Sequence, residues 1–279
     1  MRKVAVWAVL ASLLYLTWWA LDGSGFGGLW DRGGEGGSSV LEGVDLVVAI
    51  TVSWIPLVAD YTRFSRSRVA AFWGTSAGYF LASVWLWGLG AVLFFSRDIT
   101  DPAALPVAVA AGGIGAVLAL LAVTVDETDE AFANVYSTAV SIQNLAPRAP
   151  QRALLVAVAA VATLGALTID LLSYESFLLM LGSFFVPLFG VLLADWLAAG
   201  SRYTEQDVFA GPAVRPGMIG AWIAGFAAYQ WLYPTGPQWW IDLVERLDPP
   251  DWGIGASVPS FAVSLALGLV VATLGKRRF

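Results

Sequence analysis

Long apolar runs separated by short polar segments fill most of the sequence. Runs of roughly 17 to 25 residues are long enough to cross the hydrocarbon core of a bilayer as helices. Eight such runs occur, at residues 4–21, 44–61, 71–95, 114–143, 153–173, 176–198, 217–234 and 257–275. The pattern predicts an all-α polytopic membrane protein in which residues 1–279 form a single transmembrane domain.

Composition supports this prediction and limits the functional groups that the chain can use. Hydrophobic residues make up 58% of the chain and charged residues 13%, against about a quarter charged in soluble domains. The chain has no Cys and no His, which excludes disulfides, thiolate or imidazole metal ligands and histidine proton relays. Proton chemistry must therefore use carboxylates. We expect membrane lipid around the chain, no cofactor and no nucleic-acid partner.

The first apolar run has two interpretations. Arg2 and Lys3 precede it, as they would in a secretory signal peptide. The run is long for the core of a signal peptide, however, and no clear small-residue cleavage site follows it. A first membrane span is therefore favoured over a cleaved signal.

Basic residues indicate the orientation of the chain. Cytoplasmic loops of membrane proteins carry an excess of Lys and Arg. If eight spans place both termini in the cytoplasm, only three of the 15 basic residues, Arg32, Arg97 and Arg246, fall outside. The other twelve (15 − 3) then fall on the cytoplasmic side. We expect a multi-pass protein of the inner (cytoplasmic) membrane with both termini in the cytoplasm.

Three connecting segments have compositions of their own. Residues 22–43 are rich in Gly, which is typical of a flexible loop. Residues 236–257 contain Trp239, Trp240 and Trp252 and are expected to hold a segment that lies on the membrane surface. Residues 101–113 are expected to form a short interfacial or re-entrant piece.

The fourth run carries an acidic cluster, "DETDE", at residues 126–130. One charged side chain at the bilayer centre costs about 2.5–3.5 kcal/mol, so four that face lipid would prevent insertion. Helical spacing puts a set of polar residues, the polar stripe, on one face: Glu127, Glu130, Asn134, Thr138 and Ser141. We predict a continuous helix whose polar stripe faces a water-filled or protein-lined cavity, with Asp126 and Asp129 on its flank. The alternative is a shorter span with the cluster in an outer loop.

Pro56 interrupts the second run. Proline removes a backbone donor and kinks a helix, and broken helices in membrane transporters expose backbone polar groups to a ligand near the midplane. Thr51 and Trp54 precede the predicted break, where the indole can stack on a flat ring. The alternative is a simple kink with a structural Trp54. Asp60 and Arg63 end the run one helical turn apart, within reach of an ion pair.

The sixth run again combines a central proline with a terminal carboxylate. Pro187 lies in its middle and Asp195 near its predicted cytoplasmic end. Gly182 and Gly190 allow close helix packing. Because the polar content of this run is low, we interpret it as a moving or gating helix.

Three stretches together resemble a known family. They are "SWIPLVADYTRFSRSR", "DETDEAFANVYSTAVSIQN" and "GSFFVPLFGVLLADW", in that order along the chain. They resemble the nucleobase–cation symporters, the permeases for cytosine, purines, uracil, allantoin, hydantoins and thiamine precursors. Within that family the resemblance is closest to the hydroxymethylpyrimidine transporter branch.

The resemblance implies a leucine-transporter-like fold, in which two inverted five-helix repeats are followed by two further helices. The eight runs correspond to helices five to twelve of that plan. We therefore expect the chain to resemble the C-terminal two-thirds of such a transporter, as a fragment, a truncated product or a mis-started gene. Its partner would be the missing N-terminal four-helix segment.

The resemblance also implies roles for individual residues. The family places a ring-stacking aromatic residue at the position of Thr51, next to Ile50, and Trp54 one turn later replaces that ring. The family's substrate-binding amide falls at Asn134. The family's sodium site, a backbone carbonyl and two hydroxyls, falls at Val125, Thr128 and Asp129. The carboxylate of Asp129 leaves the coupling ion open between sodium and a proton.

These residues suggest a substrate. A 4-aminopyrimidine presents a ring nitrogen and an exocyclic amine side by side, and a carboxylate matches that edge with two hydrogen bonds. Glu127 or Glu130 can fill this role with Asn134 beside it, while another carboxylate carries the coupling ion. We expect a cation-coupled secondary active transporter for a pyrimidine-type nucleobase or a thiamine precursor such as hydroxymethylpyrimidine.

Three other classes stay open. The first is a truncated or split membrane subunit with no transport activity of its own. The second is a channel, although one polar stripe in a broken-helix framework favours a carrier. The third is an intramembrane aspartyl protease, but the Tyr-Asp and Gly-x-Gly-Asp signatures of such enzymes are absent. We therefore expect no enzyme.

Overall fold

The chain forms helices over the residues that its structure, a computed structural model, describes. These are residues 2–22, 28, 39–97, 99, 101–168, 171–206, 211–212, 214–249 and 252–276. Regular secondary structure in these ranges is helical, without a β-strand. The predicted all-α class is confirmed.

Helices lie at all eight positions that the apolar runs predict, and two short helices lie between them. In chain order they are α1 Arg2–Leu21, α2 Val40–Val52, α3 Ile55–Thr62, α4 Arg68–Ser96, α5 Leu105–Ala110, α6 Ile114–Leu145, α7 Gln151–Thr168, α8 Leu171–Ala198, α9 Pro216–Leu232, α10 Gln238–Glu245 and α11 Ser257–Lys276. The second run is divided between α2 and α3. A 3₁₀ turn, Pro102–Ala104, precedes α5.

Four segments of the described helices are long and apolar enough to cross a membrane: Arg68–Ser96, Gln151–Thr168, Ser176–Ala198 and Ser257–Gly275. The apolar part of α1, Val6–Leu21, is shorter. The helix α9 has only 17 residues, the second run is divided, and α6 carries the acidic cluster. A membrane crossing by all eight runs, and their single domain, therefore stay predictions.

The chain divides into two compact units. The first unit contains Met1–Glu35 and Asp60–Leu171, and the second contains Gly36–Ala59 and Leu172–Phe279. The polar stripe on α6 therefore belongs to the first unit. The break between α2 and α3 belongs to the second.

The core of the first unit joins α1, α4, α5 and α6. Its buried members are mostly aliphatic: Leu16, Ala20, Leu89, Leu93, Val109, Ala116 and Ala119. Polar contacts add to this packing, since the Trp85 indole donates to the Thr17 hydroxyl at 2.9 Å. The Arg97 guanidinium lies 4.1 Å from the Trp19 ring centroid, a cation–π contact that ends α4 against α1.

The second unit packs closely through glycines. A Cβ atom added to Gly182 of α8 would lie 2.8 Å from the Cβ of Ala49 in α2, and one added to Gly190 would overlap Ser264 of α11. The close packing predicted for both glycines is confirmed. A Cβ atom added to Gly225 of α9 would likewise lie too close to Pro187 of α8, 2.6 Å from its Cβ. Pro187 is fully buried inside a helix that stays continuous.

Two of the three connecting segments contain a short helix among their described residues. Residues 101–113 hold α5, and residues 236–257 hold α10. Trp239 of α10 is 68% exposed, whereas the Trp240 indole donates to Gln230 of α9 at 2.9 Å. A surface location for α10 stays a prediction. Most of the Gly-rich segment 22–43 lies outside the described residues.

Candidate functional site

The second run breaks immediately before Pro56. The helix α2 ends at Val52, and the N–H groups of Ser53 and Trp54 donate to the carbonyls of Ile50 and Thr51 at 3.3 and 3.2 Å. These bonds reach back three residues instead of four, so the last turn of α2 is tightened into a 3₁₀ turn. The helix then resumes as α3. The predicted break is present.

Two backbone carbonyls at the break, those of Val52 and Ser53, lack the N–H donors that a continuous helix would supply. Pro56 has no N–H to donate to the Val52 carbonyl. The N–H of Leu57 donates to the Trp54 carbonyl at 3.0 Å and not to that of Ser53. Acceptors of this kind, at a broken helix, are what transporters offer to a polar substrate or ion.

Hydrophobic anchors hold the break in place on both sides. Val52 is buried in a cluster with Val186, Tyr229 and Ala256, and Ile55 packs against it. The neighbouring residues Ile50, Thr51 and Trp54 are half-buried. The side chain of Trp54 is thus only partly enclosed at the break. Its stacking role stays a prediction.

The acidic cluster lies on a helix and not in a loop. The helix α6 runs without interruption from Ile114 to Leu145, so the cluster is not in a loop as the alternative had it. The length of the membrane span on this helix stays a prediction. Within the polar stripe Glu130 is half-buried, while Glu127, Asn134, Thr138 and Ser141 are exposed.

Exposure does not single out the polar stripe from the other faces of α6. The apolar side chains of Val125 and Phe132 are 68% and 65% exposed. This half of the helix therefore contributes little to the core of the first unit. A cavity on the side of the polar stripe stays a prediction.

Two of the three oxygens predicted for a sodium ion are neighbours. The Thr128 hydroxyl donates to the Val125 carbonyl at 2.6 Å. The side chain of Asp129 lies outside the described ones. Among the described side chains, no three acidic groups converge as they would around a metal ion. The predicted site would thus consist of backbone and hydroxyl oxygens, completed by Asp129.

Charged residues at the predicted cytoplasmic ends of the second and sixth runs form contacts, some of which the sequence did not predict. The Asp195 carboxylate pairs with Arg215, which precedes α9, at 2.7 Å, and accepts a bond from the Tyr203 hydroxyl at 3.1 Å. The hydrogen bond to Asp195 raises the pKa of Arg215 above its ordinary value. Arg63 lies over the Phe64 ring, 4.7 Å from its centroid. The Asp60 side chain is outside the described ones, so its predicted ion pair stays untested.

Sequence reasoning did not single out a buried polar network in the second unit. The Gln230 amide donates to the hydroxyls of Ser183 and Thr235, both at 3.1 Å. Its oxygen accepts the Thr235 N–H and the Trp240 indole N–H, both at 2.9 Å. Only the position of Gln230 at the end of an apolar run could have indicated this network.

Comparison with known proteins gives these features a context. Several membrane-length helices in an all-helical chain define a multi-pass membrane protein. Residues 1–232 match the family described as permeases for cytosine/purines, uracil, thiamine and allantoin. Because the match covers most of the chain, the chain belongs to this permease family, a family of transporters and not of enzymes. No curated protein and no solved structure matches it.

Proposed function

We propose that the chain takes part in secondary active, cation-coupled transport of a pyrimidine-type nucleobase or a thiamine precursor such as hydroxymethylpyrimidine. The observation that carries the proposal is the break between α2 and α3, which has an indole and two carbonyls without their usual helical donors at one point. Membership in a nucleobase permease family gives the transported class. The choice of hydroxymethylpyrimidine rests on the resemblance noted above.

The chemistry of the two sets of residues suits such a ring. Trp54 offers a flat apolar surface for stacking, which tolerates many bases because every base has a π-face. On α6, Glu127 or Glu130 offers a carboxylate that can accept two hydrogen bonds from an aminopyrimidine edge. Asn134 adds two amide N–H donors and a carbonyl acceptor. The role of Trp54 and the role of the α6 residues are tested separately, each with its own variants.

The coupling ion is proposed to be sodium or a proton. Val125 and Thr128 provide two adjacent oxygens, which suit a hard cation. Asp129 would add a charged ligand for sodium, or a group that exchanges a proton. The gating role of α8, with Pro187 and Asp195, belongs to the same proposal, as does an inner-membrane location with both termini in the cytoplasm.

The test is uptake by proteoliposomes that contain the purified chain. Labelled hydroxymethylpyrimidine, cytosine, uracil, adenine, allantoin and thiamine are supplied with an inward sodium gradient, a proton gradient or neither. A second preparation contains the chain together with the four N-terminal helices of a family member.

Each outcome decides between the alternatives. Gradient-driven uptake by the chain alone supports a complete symporter. Uptake in the second preparation only, and not with the added helices by themselves, identifies a split or truncated subunit. No gradient-driven uptake of any of these compounds in either preparation would overturn the proposal.

A further inference from the structure

The second unit contains a buried carboxylate that belongs neither to the break between α2 and α3 nor to the Gln230 network. Asp45 of α2 is only 6% exposed. Its Oδ1 atom accepts the backbone N–H of Ser257, the first residue of α11, at 2.5 Å. The carboxylate therefore caps a helix from a different part of the chain, where the positive end of the helix dipole favours it.

The chain that leads into α11 is held against α2 at this point. The Ser39 hydroxyl donates to the Gly253 carbonyl at 2.9 Å. Gly255 has a φ of +69°, and a Cβ atom added to it would lie 2.6 Å from that of Asp45. Only glycine fits this left-handed, closely packed position. The carboxylate thus has a fixed position.

Two neighbouring hydroxyl groups at this place form no hydrogen bond of standard geometry with any described residue, although they lie close enough to interact with each other. They belong to Tyr229, which is fully buried, and to Ser257, which is 1% exposed. The Tyr229 hydroxyl lies beside Ser257, within electrostatic range of Asp45 and next to Gly182. Because a buried polar group without a partner costs about 1–3 kcal/mol, such groups indicate a bound water or ion.

The charge of the site favours a cation. Within the described part of the chain, no Lys or Arg pairs with Asp45, and its one hydrogen bond uses Oδ1. The partial positive charge at the start of α11 offsets only part of the several kcal/mol that burial of a carboxylate without a full counter-charge costs. One carboxylate with two hydroxyl oxygens is a ligand set for a hard cation, and its single negative charge matches a single positive one.

We propose that the Asp45 carboxylate and the hydroxyls of Tyr229 and Ser257 form a binding site for a monovalent cation, Na⁺. This site is separate from the predicted ion site on α6 and requires no particular transported substrate. It lies where α2 and α11 begin and α9 nears its end.

The test measures sodium binding by the full chain in lipid nanodiscs. Binding of ²²Na⁺ and the unfolding temperature are followed as NaCl replaces choline chloride at constant ionic strength. Sodium should raise the unfolding temperature saturably, because it binds the folded chain only. Asp45→Asn keeps an oxygen for the Ser257 N–H but removes the charge, so it should abolish the sodium-dependent shift and the ²²Na⁺ signal of this site.

Further variants separate this site from others. Tyr229→Phe and Ser257→Ala should each weaken sodium binding. Loss of a residue that only supports a metal ligand lowers metal affinity by roughly 10- to 100-fold, and loss of a ligand itself should cost at least as much. The matched control is Ser260→Ala on α11, another buried serine, whose hydroxyl donates to the Gly225 carbonyl at 2.8 Å. It should leave sodium affinity unchanged.

The proposal is overturned by any of three results. The first is that Asp45→Asn binds as much ²²Na⁺ as the wild type, with the wild-type affinity. The second is complete loss of binding in Asp129→Asn, which would assign the ion to α6. The third is a wild-type chain stabilised by lower pH and not by sodium. If Asp45→Asn does not fold, unchanged affinity in both Tyr229→Phe and Ser257→Ala overturns it instead.

Discussion

Trp54 is the residue on which the proposed stacking of a ligand depends. Its neighbours Val52 and Ile55 are packed into the core of the second unit, while the indole itself is half-buried. If the indole stacks on a pyrimidine, Trp54→Ala should lose about 1–3 kcal/mol of binding, the scale of base–aromatic stacking. Trp54→Phe should lose less, because it keeps a ring. Equilibrium binding of labelled hydroxymethylpyrimidine in nanodiscs measures both.

A second tryptophan controls for general effects of removing an indole. Trp73 on α4 is 64% exposed and lies in no described polar network. Trp73→Ala should leave binding unchanged. If wild type and Trp54→Ala bind hydroxymethylpyrimidine with equal affinity, Trp54 does not stack on the ligand and has only a structural role at the kink.

The sequence indicated the special position of a single residue where its chemistry is unusual for a membrane helix. The carboxylates of α6 and the proline of the second run stand out in the sequence, and the structure places them on a helix and at a break. Asp45 did not stand out, because one charge near the end of an apolar run is ordinary. Its importance depends on contact with Ser257, more than 200 residues away along the chain.

At the scale of elements, packing in the second unit depends on glycines that face other helices. Gly225→Ala would put a Cβ atom 2.6 Å from the Pro187 Cβ and 3.0 Å from the Ser260 carbonyl. Neither neighbour can move aside easily, so we expect a loss of about 1–3 kcal/mol in stability, as for other overpacked sites. Thermal unfolding in detergent measures the loss as a lower unfolding temperature.

The same helix provides a matched control. A Cβ atom added to Gly220 of α9 would meet nothing within 4 Å. Gly220→Ala should therefore be neutral, or stabilising by up to about 1 kcal/mol through helix propensity. Equal unfolding temperatures for Gly220→Ala and Gly225→Ala would contradict the packing of α8 on α9.

The helices were predictable because hydrophobic length alone sets them. Seven of the eight apolar runs have one helix each and the second run has two, α2 and α3, with ends that differ by a few residues from the predicted ones. The two central prolines behave differently, since Pro56 lies at a break whereas Pro187 leaves α8 continuous. Membrane helices tolerate proline where neighbours satisfy the freed groups. The burial of Pro187 against Gly225 is a tertiary contact that no local pattern contains.

For the whole molecule, orientation follows from the distribution of basic residues. We expect Ser65 and the C-terminal tail in the cytoplasm, and Gly236 and Ser38 outside, although Ser38 lies beyond the described residues. Because the chain has no Cys, single cysteines at these positions can be labelled with an impermeant maleimide in intact cells. Positions 38 and 236 should label at once, and position 65 only after the membrane is opened. Labelling of position 65 from outside would contradict the eight-span arrangement.

The central claim is that carboxylates of the acidic cluster on α6 bind the substrate and its coupling ion. The most direct measurement is binding of labelled hydroxymethylpyrimidine and cytosine, with and without sodium, to single and combined variants. Each is measured in the preparation that is active in uptake. Glu130→Gln keeps size and polarity but breaks the two-bond match to an aminopyrimidine, so it should insert normally and bind far more weakly. Asp126→Asn should alter ion dependence more than affinity. If Asp126, Glu127, Asp129 and Glu130 can all be neutralised together without loss of binding or ion coupling, the claim is wrong.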